Sequence, residues 1–103
     1  MGTAQDTAAV SPRYNPSVKV TVIGAGIVGC AVAHELARRG ALVHVVDMRG
    51  TGLGATQASA GILAPHVGGH IEALLRISLS SLALYDTFVA RVSEDSGQPI
   101  EYE

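Results

Sequence analysis

Hydrophobic positions along this chain fall into strand-like and helix-like runs whose order is informative. Val18 to Ile23 is rich in β-branched residues and little interrupted by polar ones, which predicts a strand covered on both faces. From Gly26 to Arg39 the small and apolar residues Ile27, Cys30, Ala31, Ala33, His34 and Ala37 recur at helical spacing. Gly29 and Ala33 share one face of that helix, so it can sit close on the strand beneath it. Arg38 and Arg39 complement the negative end of the helix dipole, and Gly40 suits a left-handed cap. Ala41 to Asp47 reads as a second strand, completing a βαβ unit with an expected right-handed crossover. Ile71 to Ser93 carries the longest helical pattern, with Leu75, Leu79, Leu82, Tyr85, Val89 and Val92 on one face, and predicts a single packing helix. Asp95 to Gly97 and Pro99 end it, and Ile100 to Glu103 reads as the start of another strand.

The remaining stretches lack periodicity. Residues 1–17 form a polar lead with Pro12 and Pro16, expected to be a flexible arm. Met48 to Gly69 is rich in Gly, Ala, Ser and Thr, with Arg49 as its only fixed charge. A loop of this length inside a compact domain tends to be functional. The expected organisation is an arm over 1–17, a nucleotide-binding segment over 18–97, and a strand opening over 98–103. A doubly wound sheet has five or six strands and only two parallel ones are evident, so a fragment with an incomplete sheet is expected.

Composition narrows the function classes. The formal net charge is −2, and Lys19 is the only lysine among seven basic residues, so no electrostatic case exists for nucleic acid or an anionic membrane. Cys30 is the single cysteine, which excludes a disulfide framework and reads as a small buried residue of the first helix. The uncharged run from Val20 to Ala33 is interrupted by glycines and falls short of the ~20 residues a membrane span needs. The N-terminus lacks the pattern of a signal peptide, so a cytoplasmic setting is the expectation. His66 and His70 are separated by Gly68 and Gly69, which break any helix that would align them, and no acid cluster completes a metal site. His34 and His44 read as structural.

The chemistry lies in the turn from Gly24 to Gly29. Gly24, Gly26 and Gly29 make Gly-x-Gly-x-x-Gly between a strand and a helix, and Asp47 follows Gly24 by 23 positions at the end of the next strand. Gly24 lets the chain leave the strand, Gly26 admits a pyrophosphate, and Gly29 allows close helix-on-strand contact. The first-turn N–H groups and the helix dipole bind the diphosphate without a lysine. Asp47 is placed to accept hydrogen bonds from an adenosine ribose and disfavours a 2′-phosphate, although Arg49 lies two residues on. NAD and FAD both satisfy this pattern. The loop after Asp47, standing where an NAD-binding half would continue into a helix and third strand, argues for FAD.

The run from Val20 to Gly29, together with Gly54-Ala-Thr-Gln-Ala-Ser-Ala-Gly-Ile-Leu-Ala-Pro65, resembles the start of FAD-dependent amine and amino-acid oxidoreductases. That group includes D-amino-acid oxidase, D-amino-acid dehydrogenase, sarcosine oxidase and glycine oxidase, with glycine oxidase the nearest in appearance through about Tyr102. The resemblance implies a Rossmann-like α/β unit in which Gly24, Ala25, Gly26, Ile27, Val28 and Gly29 hold the FAD pyrophosphate. It places Asp47 and Met48 at the ribose, where the family usually has Glu in the position of Asp47. Arg49, Thr56, Ser59, Ala60, Gly61 and Ile62 would lie along the diphosphate, ribityl chain and flavin ring, with His66 near the flavin. Plain loop capping is the other reading of Thr56 and Ser59.

The implied activity is oxidation of a small amine or amino acid by hydride transfer to FAD, giving an imine that hydrolyses. The substrate-binding residues of that family fall later in the chain, so no catalytic residue is expected here, and these residues alone should be inactive. The alternatives are the nucleotide-binding module of an NAD-dependent dehydrogenase and a non-catalytic remnant serving as an interaction module.

Overall fold

The computed structural model describes residue 15 and residues 17–66 and 71–102. The arm expected over 1–17 and the His70 position therefore lie almost wholly or wholly outside the described residues. In chain order the elements are β1 (Lys19–Ile23), α1 (Ile27–Arg38), β2 (Leu42–Val46), α2 (Ala55–Ala58), α3 (Glu72–Ala83) and α4 (Tyr85–Ser96). They belong to two compact units divided between Ala60 and Gly61.

The first unit is the expected βαβ. β1 and β2 pair in parallel, in register from Lys19 opposite Leu42 to Ile23 opposite Val46. The ladder is extended at each end, where Leu42 N–H donates to Val18 O (2.9 Å) and Gly24 N–H to Val46 O (2.8 Å). α1 packs on this ribbon through small residues. Ala25, Ala33 and Ala41 are its buried positions, and no large side chain is fully buried. Gly40 takes φ +99° after the helix, as its place behind Arg39 requires.

Coverage of the sheet differs from expectation. Val20 and Val22 are half-buried on the α1 side, whereas Ile23 is 86% exposed and Leu42 62% exposed on or beside the other face. The apolar composition of β1 suits two covered faces, but α1 is the single layer packed on the ribbon among the described residues. Residues side by side along a strand point to opposite faces, so one helix leaves every second residue open.

The second unit corrects the expectation of one helix over Ile71 to Ser93. α3 and α4 meet at Leu84 and are bent by 44°. Two side chains explain the break. Ser78 and Ser81 donate their hydroxyls to the carbonyls of Leu74 and Ile77, one turn back, at 2.9 Å each. Such back-bonding draws carbonyls off the helix axis and bends helices. Leu84 N–H then closes a tighter turn onto Ser81 O at 3.1 Å, and Phe88 N–H restarts the ladder from Leu84 O at 3.0 Å. Val89 is the buried residue of this unit. Gly97 caps α4 at φ +70°.

Residues 98–102, expected to open a strand, form no ladder among the described residues. They fold back onto α4 instead. Ile100 N–H donates to Ser93 Oγ (3.2 Å), Tyr102 meets Tyr85 edge-on at 5.2 Å, and the Tyr102 hydroxyl donates to Asp86. No single helix among the described residues is long and apolar enough to cross a membrane.

Candidate dinucleotide-binding site

The glycine turn is built by two close approaches and one unusual dihedral. Gly24 leaves β1 at φ +109°, a conformation that residues with a side chain rarely adopt. Gly29 lies against it: a Cβ at Gly29 would come within 1.9 Å of Gly24 O. Gly26 is the N-cap of α1, with extended backbone (φ −80°, ψ −175°) and no side-chain cap of its own. The first intrahelical bond runs from Cys30 N–H to Gly26 O at 2.9 Å.

The N–H groups ahead of it need other partners. Ile27 N–H finds one in Thr56 Oγ1 at 2.8 Å, a contact across 29 residues. Those of Val28 and Gly29 meet no acceptor among the described residues. They open onto a groove of about 660 Å³ bounded by the turn, the end of β1, the residues after β2, and α2.

Asp47 closes the other side of the turn. Its Oδ2 accepts from Ala25 N–H at 2.8 Å and its Oδ1 from Arg49 N–H at 2.7 Å. The Ala25 bond foremost and then the Arg49 bond hold its carboxyl below the usual carboxylate value; desolvation opposes them, and the Arg49 charge adds a lesser contribution in their favour. Asp47 is thus an anion at neutral pH. Each oxygen keeps a second lone pair, so the carboxylate can still accept from a ligand hydroxyl.

Of the residues singled out in the sequence, Gly24, Gly26, Ile27, Val28, Gly29, Asp47, Arg49, Thr56 and Ser59 line the groove together. Ala25 stands behind them at 7% exposure, its N–H on Asp47 and its carbonyl accepting from Gly52 N–H at 2.8 Å. Its backbone groups are committed to the protein. Met48 is 94% exposed and is not part of the groove lining, and neither is Ala60. Gly61 and Ile62 belong to the second unit. There Ile62 lines a separate apolar cavity of about 370 Å³ with Leu63, Ala64, Pro65 and the facing sides of α3 and α4.

Sequence reasoning passed over Gly54 and Ala55, which also line the groove. In the structure Gly54 makes room for Arg49, whose guanidinium a Cβ there would meet at 3.1 Å. The groove therefore offers unpaired helix N-terminal donors, a guanidinium and a hydroxyl, with a carboxylate acceptor at its edge. That set fits a ligand with anionic oxygens in the middle and hydroxyl donors toward one end.

A parallel βαβ with a glycine turn at the head of its helix and an acid closing its second strand defines a dinucleotide-binding unit. The chain belongs to the FAD dependent oxidoreductase family, whose sequence model matches residues 19–103. The cofactor of that family is FAD, so the NAD alternative is set aside.

Among curated relatives are proteins named "tRNA 5-methylaminomethyl-2-thiouridine biosynthesis bifunctional protein MnmC". The one from Polaromonas naphthalenivorans is 43% identical over 74 residues, covering 71% of this chain and 12% of its own length. That from Nitrosospira multiformis is 42% identical over 78 residues, covering 72% and 12%. That from Maricaulis maris is 38% identical over 71 residues, covering 65% and 12%. The chain thus spans about an eighth of the length of these relatives. No solved structure matches the chain.

Proposed function

We propose that residues 18–97 are the FAD-binding segment of an oxidoreductase that oxidises a CH–NH or CH–NH2 donor. The observation that carries this reading is the coincidence of the FAD-dependent family over residues 19–103 with a groove whose donors suit a diphosphate. Val28 and Gly29 N–H, the Thr56 hydroxyl and the Arg49 guanidinium would hold the diphosphate, with the α1 dipole behind them. Asp47 would use its remaining lone pairs on the adenosine ribose, with Met48 flanking it. Ser59, Ala60, Gly61 and Ile62 would lead toward the flavin. When bound, FAD supplies the two-electron acceptor, and the protein's part is binding, orientation and electrostatics. No residue of this chain is assigned a catalytic role.

The relatives' name favours an amine carried on tRNA over a free amino acid such as glycine, and the substrate proposed is an aminomethyl group of a modified nucleoside. The net charge of −2 gives this segment no basic surface for a polynucleotide, so tRNA contacts would be made elsewhere in the whole protein. A cytoplasmic location accords with such a substrate.

The test is purification of the whole protein, identification of the released cofactor, and turnover assays with aminomethyl-modified tRNA and with free glycine and D-amino acids. Bound flavin with turnover of the tRNA amine is expected. Turnover of free amino acids alone would leave a flavin amine oxidase but remove the tRNA reading. Nicotinamide-dependent turnover of a flavin-free protein would overturn the proposal.

A further inference from the structure

The second glycine of a dinucleotide turn is ordinarily assigned to the approach of the pyrophosphate. In this chain a nearer constraint is visible. A Cβ built on Gly26 would lie 3.0 Å from Thr56 Oγ1, the sole atom within 4 Å of it among the described residues beyond its chain neighbours. The same oxygen accepts from Ile27 N–H at 2.8 Å. Thr56 sits on α2, whose single turn is carried by the loop after β2.

We infer that Thr56 is a positioning residue that staples this loop to the head of α1 before any cofactor arrives, and that Gly26 is required first by Thr56. The inference rests on the proposed FAD site but is separable from it, because both groups of the contact belong to the protein. The chemistry is a relay. Thr56 Oγ1 accepts the hydrogen bond of Ile27 N–H, which leaves its own O–H free to donate, since it has no other partner among the described residues. One helix donor is thereby re-presented further out into the groove. A side chain at Gly26 would crowd Thr56 Oγ1 by a few tenths of an ångström and so strain its bond to Ile27 N–H. A second link holds the same loop, Gly52 N–H to Ala25 O at 2.8 Å, so the loop stays near the turn when the staple is lost.

The test is a cycle of Gly26→Ala and Thr56→Ala in the whole, flavin-depleted protein, read as the folding equilibrium from denaturant unfolding. Each single change is expected to lower that equilibrium about five-fold, the usual effect of losing an N-cap acceptor. Gly26→Ala placed on Thr56→Ala is expected to add less than two-fold, because the atom it would strike is gone. Equal effects of Gly26→Ala in both backgrounds would overturn the inference. Thr56→Val keeps the bulk without the acceptor and should match Thr56→Ala alone, whereas Thr56→Ser should stay within two-fold of the parent; Ser behaving like Val would also overturn it.

Reconstitution with FAD, followed by fluorescence, separates the two claims. With the site as proposed, Thr56→Val weakens flavin binding about ten-fold and Thr56→Ser does not. A parent protein that binds no FAD removes the site, while the ligand-free cycle still decides the staple.

Discussion

Within the glycine turn, Gly29→Ala is the most severe addition of a Cβ. The new Cβ would lie 1.9 Å from Gly24 O, 3.0 Å from Gly24 C and 3.5 Å from Val22 Cγ1. Helix and turn would have to part by more than an ångström. Both nearest atoms are backbone, so no rotamer change relieves the clash. Gly24 is itself held at φ +109°, with its N–H on Val46 O at 2.8 Å. Opening the gap therefore loosens either the end of the β1–β2 ladder or the seating of α1 around Ala25, Ala33 and Ala41.

Overpacking of ordinary cores costs about 1–3 kcal/mol, and an unyielding backbone oxygen places this variant at about 3 kcal/mol or above. That is a large part of the ~5–15 kcal/mol that holds a typical domain together. Gly52→Ala is the control. Its φ is +76°, yet a Cβ there meets nothing within 4 Å, so only the left-handed strain of about 1–2 kcal/mol applies. Denaturant unfolding followed by circular dichroism should rank Gly29→Ala well below Gly52→Ala, and Gly52→Ala below the parent. A Gly29→Ala protein within ~0.5 kcal/mol of the parent, or more stable than Gly52→Ala, would refute the reasoning.

The other expectations are smaller in scale. Asp47→Asn keeps one acceptor oxygen for the two N–H groups of Ala25 and Arg49, so it should loosen the turn and weaken flavin retention at neutral pH. Because the native Asp47 carboxyl titrates below the ordinary ~3.9, its contribution to stability is present above about pH 4 and is lost as pH falls through the lowered native value. Thermal melts from pH 7 to pH 3 should show that acid loss in the parent and less of it in Asp47→Asn. Tyr102 donates to Asp86, and that bond above all raises its phenol above the ordinary ~10. The bond's contribution is complete below about pH 10 and fades as pH rises through the raised value. An ultraviolet titration should therefore lose a late tyrosinate phase in Tyr102→Phe, and Asp86→Asn should move that phase to lower pH. Removing the hydroxyls that bend the helix, with Ser78→Ala and Ser81→Ala, should raise helicity and stabilise by up to about 0.5 kcal/mol each; a loss of helical signal would count against them as the cause of the break.

What could be read from the sequence was whatever leaves a periodic or stereochemical trace. The switch from strand to helical spacing at Gly24 to Ile27 placed β1 and α1 within a residue or two, and the positive φ of Gly24, Gly40 and Gly97 falls where caps and turns called for it. The break at Leu84 left no such trace. A three-and-four spacing continues through a 44° bend, because it records which residues face inward and not whether the axis is straight. β1 shows the same limit from another side. Its apolar residues state a demand for two covered faces, but composition cannot say what supplies the second cover.

Side-chain partners across long separations were the least legible feature. Asp47 was read as a group facing a ribose, in a position where the family usually has Glu. In the structure the short side chain reaches its own turn, and both oxygens engage backbone N–H groups. Thr56 was read either as a cofactor contact or as a loop cap, and the acceptor role at Ile27, 29 residues away, was not foreseeable from spacing.

These partners change what the glycine turn means. Three links bind the segment after β2 onto it: Asp47 to Ala25 N–H, Gly52 N–H to Ala25 O, and Thr56 to Ile27 N–H. The turn alone leaves an opening with helix N–H donors at its base, a feature shared by NAD and FAD sites. Its free donors are reduced by one where Thr56 stands, and its rim is built from Arg49, Gly54, Thr56 and Ser59. The shape offered to a ligand is accordingly set by the loop, through contacts that only small residues permit. A Cβ at Gly26 would lie 3.0 Å from Thr56 Oγ1 and one at Gly54 3.1 Å from the Arg49 guanidinium. The glycine turn, a motif common to many nucleotide-binding proteins, is thus also the seat on which the loop after Asp47 rests.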